Sequence, residues 1–414
     1  MQDLWKRLAK PIVTGLLAIG AFAAHYATRW DFSPGDVDRP GNHLPLSVPD
    51  SPMLKSRDAA HSSWHVACVT NRDLSSGRIR TSDVDSRGSL LEQSHDGLNQ
   101  VDLATFGFAE VRVERKRQRG QCEPSFVRVE KNLQTVGETQ FLNSINTLLA
   151  DAKEKNLLVF VHGFNVSHDM TLCRTAQLAE DLPFGGVVIA FDWASCAEMK
   201  DLAIHDRYAQ DEVVAERYFW SLARLLARLK QTVPESTRLH VMAHSMGNRV
   251  TLRALNALVG YCTPTGRTAG VFPSDDTTCR FPLWRSWVTL ERPPIEEIVF
   301  AAPDVDASEF QRLAGNVSHL CEGMTLYTSD VDVALESSYH MNQEGYRAGD
   351  SRASISVEGL RVVRTSRVSR LDPLGHSYYG SDPSVLDNLA SLFQFDVDRI
   401  ATMTVQEYTK SRRE

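Results

Sequence analysis

The chain has 414 residues, enough for one large α/β domain with extensions or for two domains. Its 42% hydrophobic and 23% charged residues are ordinary for a globular protein, and a net charge of −7 leaves no basic footprint for nucleic acid. No heptads, no repeat of 20–50 residues, no C-x-x-C and no H-E-x-x-H stand in the sequence, so neither a metal nor a cofactor is expected.

The first ten residues, MQDLWKRLAK, are basic, and residues 11–28 are mostly apolar without Lys, Arg, Asp or Glu. A basic stretch ahead of an apolar core is the pattern of an export signal, and Ala21-Phe22-Ala23 offers a cleavage site. Eighteen helical residues also span about 27 Å, near the lower limit for crossing a bilayer. Residues 1–30 therefore read as a cleaved signal peptide or as an uncleaved anchor with Lys6, Arg7 and Lys10 on the cytoplasmic side. A helix packed on the domain is the third reading. Either membrane reading puts the remainder in the cell envelope, periplasmic, secreted or anchored at the inner membrane, where disulfides are allowed. Cys262 and Cys279 lie in a Gly/Pro/Thr-rich stretch that suits a loop staple, worth about 3 kcal/mol.

Residues 31–62 hold Pro34, Pro40, Pro45, Pro49 and Pro52 and read as a linker or a surface strap. HVACVT (65–70) is a strand, 71–103 a polar loop, and FGFAEVRVE (106–114) a second strand by its alternation. The basic run Arg115, Lys116, Arg117 and Arg119 reads as a solvated hairpin tip before a third strand, SFVRVE. From 140 onward helix alternates with strand. Helices are expected over 140–155, 170–182, 207–231, after 246 and over 383–395; strands over 156–164, 185–193, 238–243, 295–303, 324–329 and 360–366. Buried apolar strands alternating with helices predict a mainly parallel sheet covered on both faces, with ligands at the carboxyl ends of its strands.

The stretch RLHVMAHSMGNRV (238–250) places Ser245 between an apolar strand and a helical pattern, the context of a nucleophile elbow. Small residues must flank the serine because strand and helix backbones nearly touch there. Gly247 is one; Ala243 stands where glycine is commoner. A serine hydroxyl needs a base, and the base an orienting acid. His376, in DPLGHSYYG, falls between the last strand and the last helix, where such a base belongs. Asp332, after the MTLYTS strand, ranks first as the acid, Asp304 in VFAAPDVD second and Asp330 third. Two backbone donors are needed for an oxyanion, and the N–H groups of Met246 and Phe164, the latter in the His162-Gly163 turn, are the candidates.

These pieces, VTNR at 69–72, LLVFVHGFN, FDWAS, HVMAHSMGNR, VFAAPDVD, LYTSDVDVAL and LGHSYYG, together resemble a bacterial α/β-hydrolase family without a defined function, related to lipases and esterases. Val333 departs from the basic residue that family more often carries after the aspartate. The resemblance covers about residues 64–395 and implies an α/β-hydrolase domain over 63–400 with strands added at its N-terminal side, followed by a tail over 401–414. It implies a serine-hydrolase triad of Ser245, Asp332 and His376, and no particular substrate. The insertion at 260–294, with Phe281, Leu283, Trp284 and Trp287, reads as a lid over an acyl pocket or as a packed excursion. The expected activity is hydrolysis of a small-molecule or lipid ester through an acyl-enzyme. An amidase or peptidase on the same fold, or an inactive envelope binding module, are the alternatives.

Overall fold

The structure is a computed structural model that describes residues 51–74, 104–182, 184–198, 203–259, 292–342, 345–366 and 371–394. The expected signal or anchor, both cysteines of the expected staple, residues 260–291 of the lid and the C-terminal tail lie outside these residues.

One ten-stranded sheet organises the domain. Its strands are β1 (Leu54–Arg57), β2 (His61–Thr70), β3 (Thr105–Glu114), β4 (Val127–Val136), β5 (Asn156–Val161), β6 (Val187–Asp192), β7 (Arg238–His244), β8 (Ile295–Ala301), β9 (Cys321–Ser329) and β10 (Leu360–Thr365). The order is β10-β9-β8-β7-β5-β6-β2-β3-β4. From β10 across to β2 all neighbours are parallel. An antiparallel meander, β2-β3-β4, extends the far edge. β1 and β6 share one edge of β2: Ser62–Trp64 pair with β1, and Ala67–Thr70 pair with β6. The Pro-rich stretch 31–62 thus ends in strand rather than in linker.

The pattern follows from burial. NLLVFV of β5 and VVIAFD of β6 are buried at every position, as central strands covered on both faces must be. β4 carries Glu130 and Lys131 and buries only Val127 fully, which suits an edge. Among the described residues the α-helices are α1 (Glu138–Asp151), α2 (His168–Asp181), α3 (Ile204–Thr232), α4 (Gly247–Leu258), α5 (Ala307–Val317), α6 (Val333–Asn342), α7 (Tyr378–Ser381) and α8 (Pro383–Gln394). Ser167 caps α2 by accepting the Met170 N–H, and Asp306 caps α5 by accepting from Ser308 and Glu309. This is the mainly parallel, helix-covered sheet the residue pattern predicts and the α/β-hydrolase architecture the resemblance implies, with β1, α5, α6 and α7 as elements the sequence did not reveal.

The basic run between β3 and β4 is not a solvated tip throughout. Arg115 and Lys116 are exposed, but Arg117 is buried and its guanidinium forks onto the buried carboxylate of Asp181, with Nη1 to Oδ2 at 3.0 Å. The Gly120 N–H donates to the same Oδ2 at 2.9 Å. Composition alone marks such a run as surface; its partner lies 64 residues away, at the end of α2.

Candidate active site

Ser245 occupies the turn between β7 and α4 with φ 53°, a left-handed conformation that costs a non-glycine residue strain. The surroundings hold it there. Its N–H donates to Ala301 O at 3.0 Å, and its carbonyl accepts from Asp304 N–H at 3.2 Å and from the Asn248 amide at 2.9 Å. The turn after β5 presses against it. A Cβ on Gly163 would lie 2.8 Å from the Ser245 Cβ, and one on Gly247 only 2.2 Å from His162 O. The small residues around the serine are therefore a packing requirement.

His376 follows Gly375, whose φ of 63° and close approach to Val331 O (2.7 Å for a Cβ) leave no room for a side chain. The imidazole Nδ1 meets Asp332 Oδ2 at 2.7 Å, and both residues are buried. A carboxylate can only accept, so Nδ1 carries the proton and Nε2 is left as the basic nitrogen. The other Asp332 oxygen accepts the Leu335 N–H at 3.0 Å at the start of α6, and Val333 N–H donates to Leu374 O at 3.0 Å. Strand end, helix start and histidine loop are thereby locked together. Burial works against the charge of His376, but the attraction of Asp332, with Asp372 and Asp304 behind it, prevails and raises its pKa. Burial raises that of Asp332, with His376 opposing.

The candidate residues fall into distinct places. Ser245, His376, Phe164 and Asp304 line one cavity of about 130 Å³, and Asp332 stands behind His376. Asp304 is engaged elsewhere: Oδ2 accepts from the Tyr208 hydroxyl at 2.8 Å and Oδ1 from the Ser338 hydroxyl at 2.5 Å, with Arg347 Nε 3.4 Å away. Asp330 is exposed at the end of β9. Met246 and Phe164 flank the serine, and among the described residues no acceptor takes the backbone N–H of either. Two unengaged donors beside a cavity are what an anionic oxygen would require. α3 and α6 contribute Ile204, Val333, Leu335 and Met341 to the lining; α2, the 371–377 loop and α7 contribute Arg174, Leu371, Leu374 and Tyr379.

Two further groups escape sequence reasoning. Asp372 lines the cavity, accepts the Ser377 N–H at 2.6 Å, and is pushed by burial to a pKa of about 6, His376 opposing. His244 donates from Nε2 to His376 O at 3.0 Å, and burial holds its pKa far down, so it stays neutral. Both stand in stretches the sequence singles out, His244 in HVMAHSMGNR and Asp372 in DPLGHSYYG, but their roles come only from folding the 371–377 loop over β7.

Cys68, His168 and Asp192 offer ligand atoms within 4.8 Å of one another, the arrangement among the described residues nearest to a metal site. Their chemistry argues otherwise. The Asp192 carboxylate already accepts from Arg72 Nε (2.9 Å), Thr70 (2.8 Å), Thr171 (3.1 Å) and His168 (2.7 Å), and burial pushes the Cys68 thiol well up. A saturated carboxylate beside a guanidinium does not suit a cation. No helix among the described residues is long and apolar enough to cross a membrane.

A protein family described as alpha/beta hydrolase of unknown function (DUF900) matches residues 137–393. No curated protein matches the sequence significantly. Among solved structures, an iodinated complex of an acetyl xylan esterase overlaps with a TM-score of 0.30 at 9% identity, over 57% of this chain and 97% of its own. An uncharacterised protein from Capnocytophaga ochracea gives 0.27 at 9% identity, over 69% and 59%. Esterase B from Lactobacillus rhamnosis, inhibited by a tributyrin phosphonate, gives 0.28 at 12% identity, over 76% and 86%.

Proposed function

The chain belongs to this α/β-hydrolase family of unknown function, and from that premise we propose that it is a serine esterase. The observation that carries the reading is the 2.7 Å bond from His376 to Asp332, on the same cavity as a serine held in a left-handed turn.

In this reading the Ser245 Oγ attacks the ester carbonyl carbon, and His376 Nε2 takes the hydroxyl proton. The carbonyl electron pair moves onto oxygen, which accepts hydrogen bonds from the N–H groups of Phe164 and Met246. Collapse breaks the bond to the alcohol oxygen, which leaves with the proton from His376. A water then gives its proton to His376 and attacks the acyl-enzyme; the acyl–Oγ bond breaks, His376 returns the proton to the Ser245 Oγ, and the acid is released. Asp332 keeps the ring in its Nδ1–H tautomer and stabilises the imidazolium. Removing one oxyanion donor of this kind costs ~10²–10³ in turnover.

A mostly apolar pocket with a few convergent polar groups suits an acyl ester, small or lipid. An alkoxide also leaves more readily than an amine, which puts an ester ahead of an amide. Labelling by a fluorophosphonate probe tests the reading: wild type reacts and Ser245→Ala does not. Well-folded wild type that resists the probe supports the inactive binding module instead. Matched p-nitrophenyl ester and p-nitroanilide substrates then separate esterase from amidase or peptidase. The basic-then-apolar N-terminus extends the proposal to the cell envelope, with membrane contact if the segment is retained. The mass of the mature protein from its host separates cleavage from anchoring.

A further inference from the structure

Two of the sequence pieces, VTNR at 69–72 and FDWAS at 191–195, take no part in the chemistry above, yet both converge on the turn that carries Phe164. Arg72, fully buried, follows the carboxyl end of β2. Its Nε donates to Asp192 Oδ1 at 2.9 Å, Nη1 to Ser195 O at 2.7 Å, and Nη2 to Val166 O at 2.6 Å and Trp193 O at 3.0 Å. One guanidinium thus ties the ends of β2, β6 and β5 together. The Ser195 hydroxyl completes the tie, donating to Val166 O at 2.8 Å and accepting the Val166 N–H at 3.1 Å.

The other end of the turn is held as firmly. Trp193 Nε1–H donates to His162 O at 2.7 Å, and the two rings stack at 5.2 Å with 6° between planes. In the middle, Asn165 sits at φ 56°, its N–H on Asp211 (3.3 Å) and its amide oxygen on Arg207 (2.8 Å). A strained residue persists only where its surroundings over-determine it. Anchors grip the residues on both sides of Phe164, whose own N–H keeps no acceptor among the described residues.

We propose that Arg72 and Ser195 are positioning residues, which hold the Phe164 N–H in place as an oxyanion donor; the proposal rests on the serine-esterase reading. Lysine cannot stand in for Arg72, because one ammonium cannot span acceptors that a planar fork reaches on both sides.

The test uses the full chain with Ser195→Ala and Arg72→Lys. Competent sites are titrated to completion with a fluorophosphonate, and kcat per titrated site and KM are measured on p-nitrophenyl butyrate. Affinity is measured for a trifluoromethyl ketone, which forms an oxyanion on serine. For Ser195→Ala the expected result is a kcat per site about tenfold lower, KM within about twofold, and ketone affinity reduced in step. For Arg72→Lys the loss is ~10²-fold, the scale of a displaced catalytic geometry. A purely structural role would lower the melting temperature and the number of titratable sites while leaving kcat per site unchanged; that result overturns the proposal. If Arg72→Lys does not fold, Ser195→Ala decides alone. Wild type that neither labels nor hydrolyses the ester removes the esterase reading and this proposal with it, an outcome distinct from unmoved constants in an active wild type.

Discussion

His376 donates from Nδ1 to Asp332 Oδ2 at 2.7 Å, while Asp304, on the same cavity, commits its oxygens to Tyr208 and Ser338. The two carboxylates are therefore separable by substitution. Asp332→Asn is expected to fold and to lose ~10³–10⁴ in kcat, because an amide no longer imposes the Nδ1–H tautomer. Asp304→Asn is expected to cost about 1–3 kcal/mol of stability, through disturbed buried hydrogen bonds, and less than about tenfold in kcat. Kinetics on p-nitrophenyl butyrate and thermal melts of both variants check this. The reverse ranking would move the orienting acid to Asp304.

In the proposed mechanism the same pair would set the acid limb of activity. A general base must be neutral, so kcat/KM rises with pH and levels off above the pKa of His376 in the free enzyme. Burial would lower that pKa below the ordinary 6.5, but Asp332, then Asp372 and Asp304, raise it above. The wild-type limb is therefore expected to have its midpoint above pH 6.5. In Asp332→Asn the largest attraction is gone, and the midpoint of the residual activity should fall. A wild-type midpoint below 6.5 would mean that burial outweighs the carboxylates.

What the chain discloses locally, and what it hides, follow from the range of the forces involved. The stretch 238–258 is legible because apolar run, turn and amphipathic helix lie within twenty residues or so, although the contacts that hold Ser245 and Gly247, from Ala301, Asp304 and the His162-Gly163 turn, come from far along the chain. Asp332 and His376 are legible by position, each after a strand. α6 is hidden because its buried face includes Ser337, Ser338 and Asn342, which hydrogen bonds rather than apolar contacts satisfy, so no hydrophobic period marks it. Arg72 and Arg117 are hidden for a related reason. Their partners Asp192 and Asp181 lie 120 and 64 residues away, and long-range polar pairing leaves no periodicity to read.

The strain at Ser245 makes a prediction about stability alone. Ser245→Ala and Ser245→Gly both lack the hydroxyl and both should be inactive. At φ 53° only glycine is free of the steric penalty. Ser245→Gly is expected to be more stable than Ser245→Ala by more than about 1 kcal/mol, because at a positive φ the strain of a Cβ outweighs the greater chain entropy of glycine. Urea denaturation of the two variants measures it. Equal midpoints would show that the turn relaxes once the hydroxyl is removed.

Asp211 links stability to pH. It lies fully buried on α3, where its carboxylate accepts the Cys196 N–H at 2.6 Å and the Asn165 N–H at 3.3 Å. Burial raises its pKa from 3.8 to about 7, and the bonds from Cys196 and Asn165 offset only part of that. Because the folded-state pKa is the higher one, the folded protein binds this proton more tightly than the unfolded chain does. The resulting stability is complete below about pH 4 and is lost as pH rises through about 7, at up to ~1.4 kcal/mol per pH unit within that window. Asp211→Asn keeps the size of the side chain and an accepting oxygen but cannot ionise. Its melting temperature should therefore fall less than that of wild type between pH 5 and pH 8. Comparing the two proteins cancels every other titrating group that the substitution leaves undisturbed. Parallel slopes would mean that Asp211 is already ionised in the folded protein at pH 5, and that hydrogen bonds to the Asn165 turn outweigh its burial.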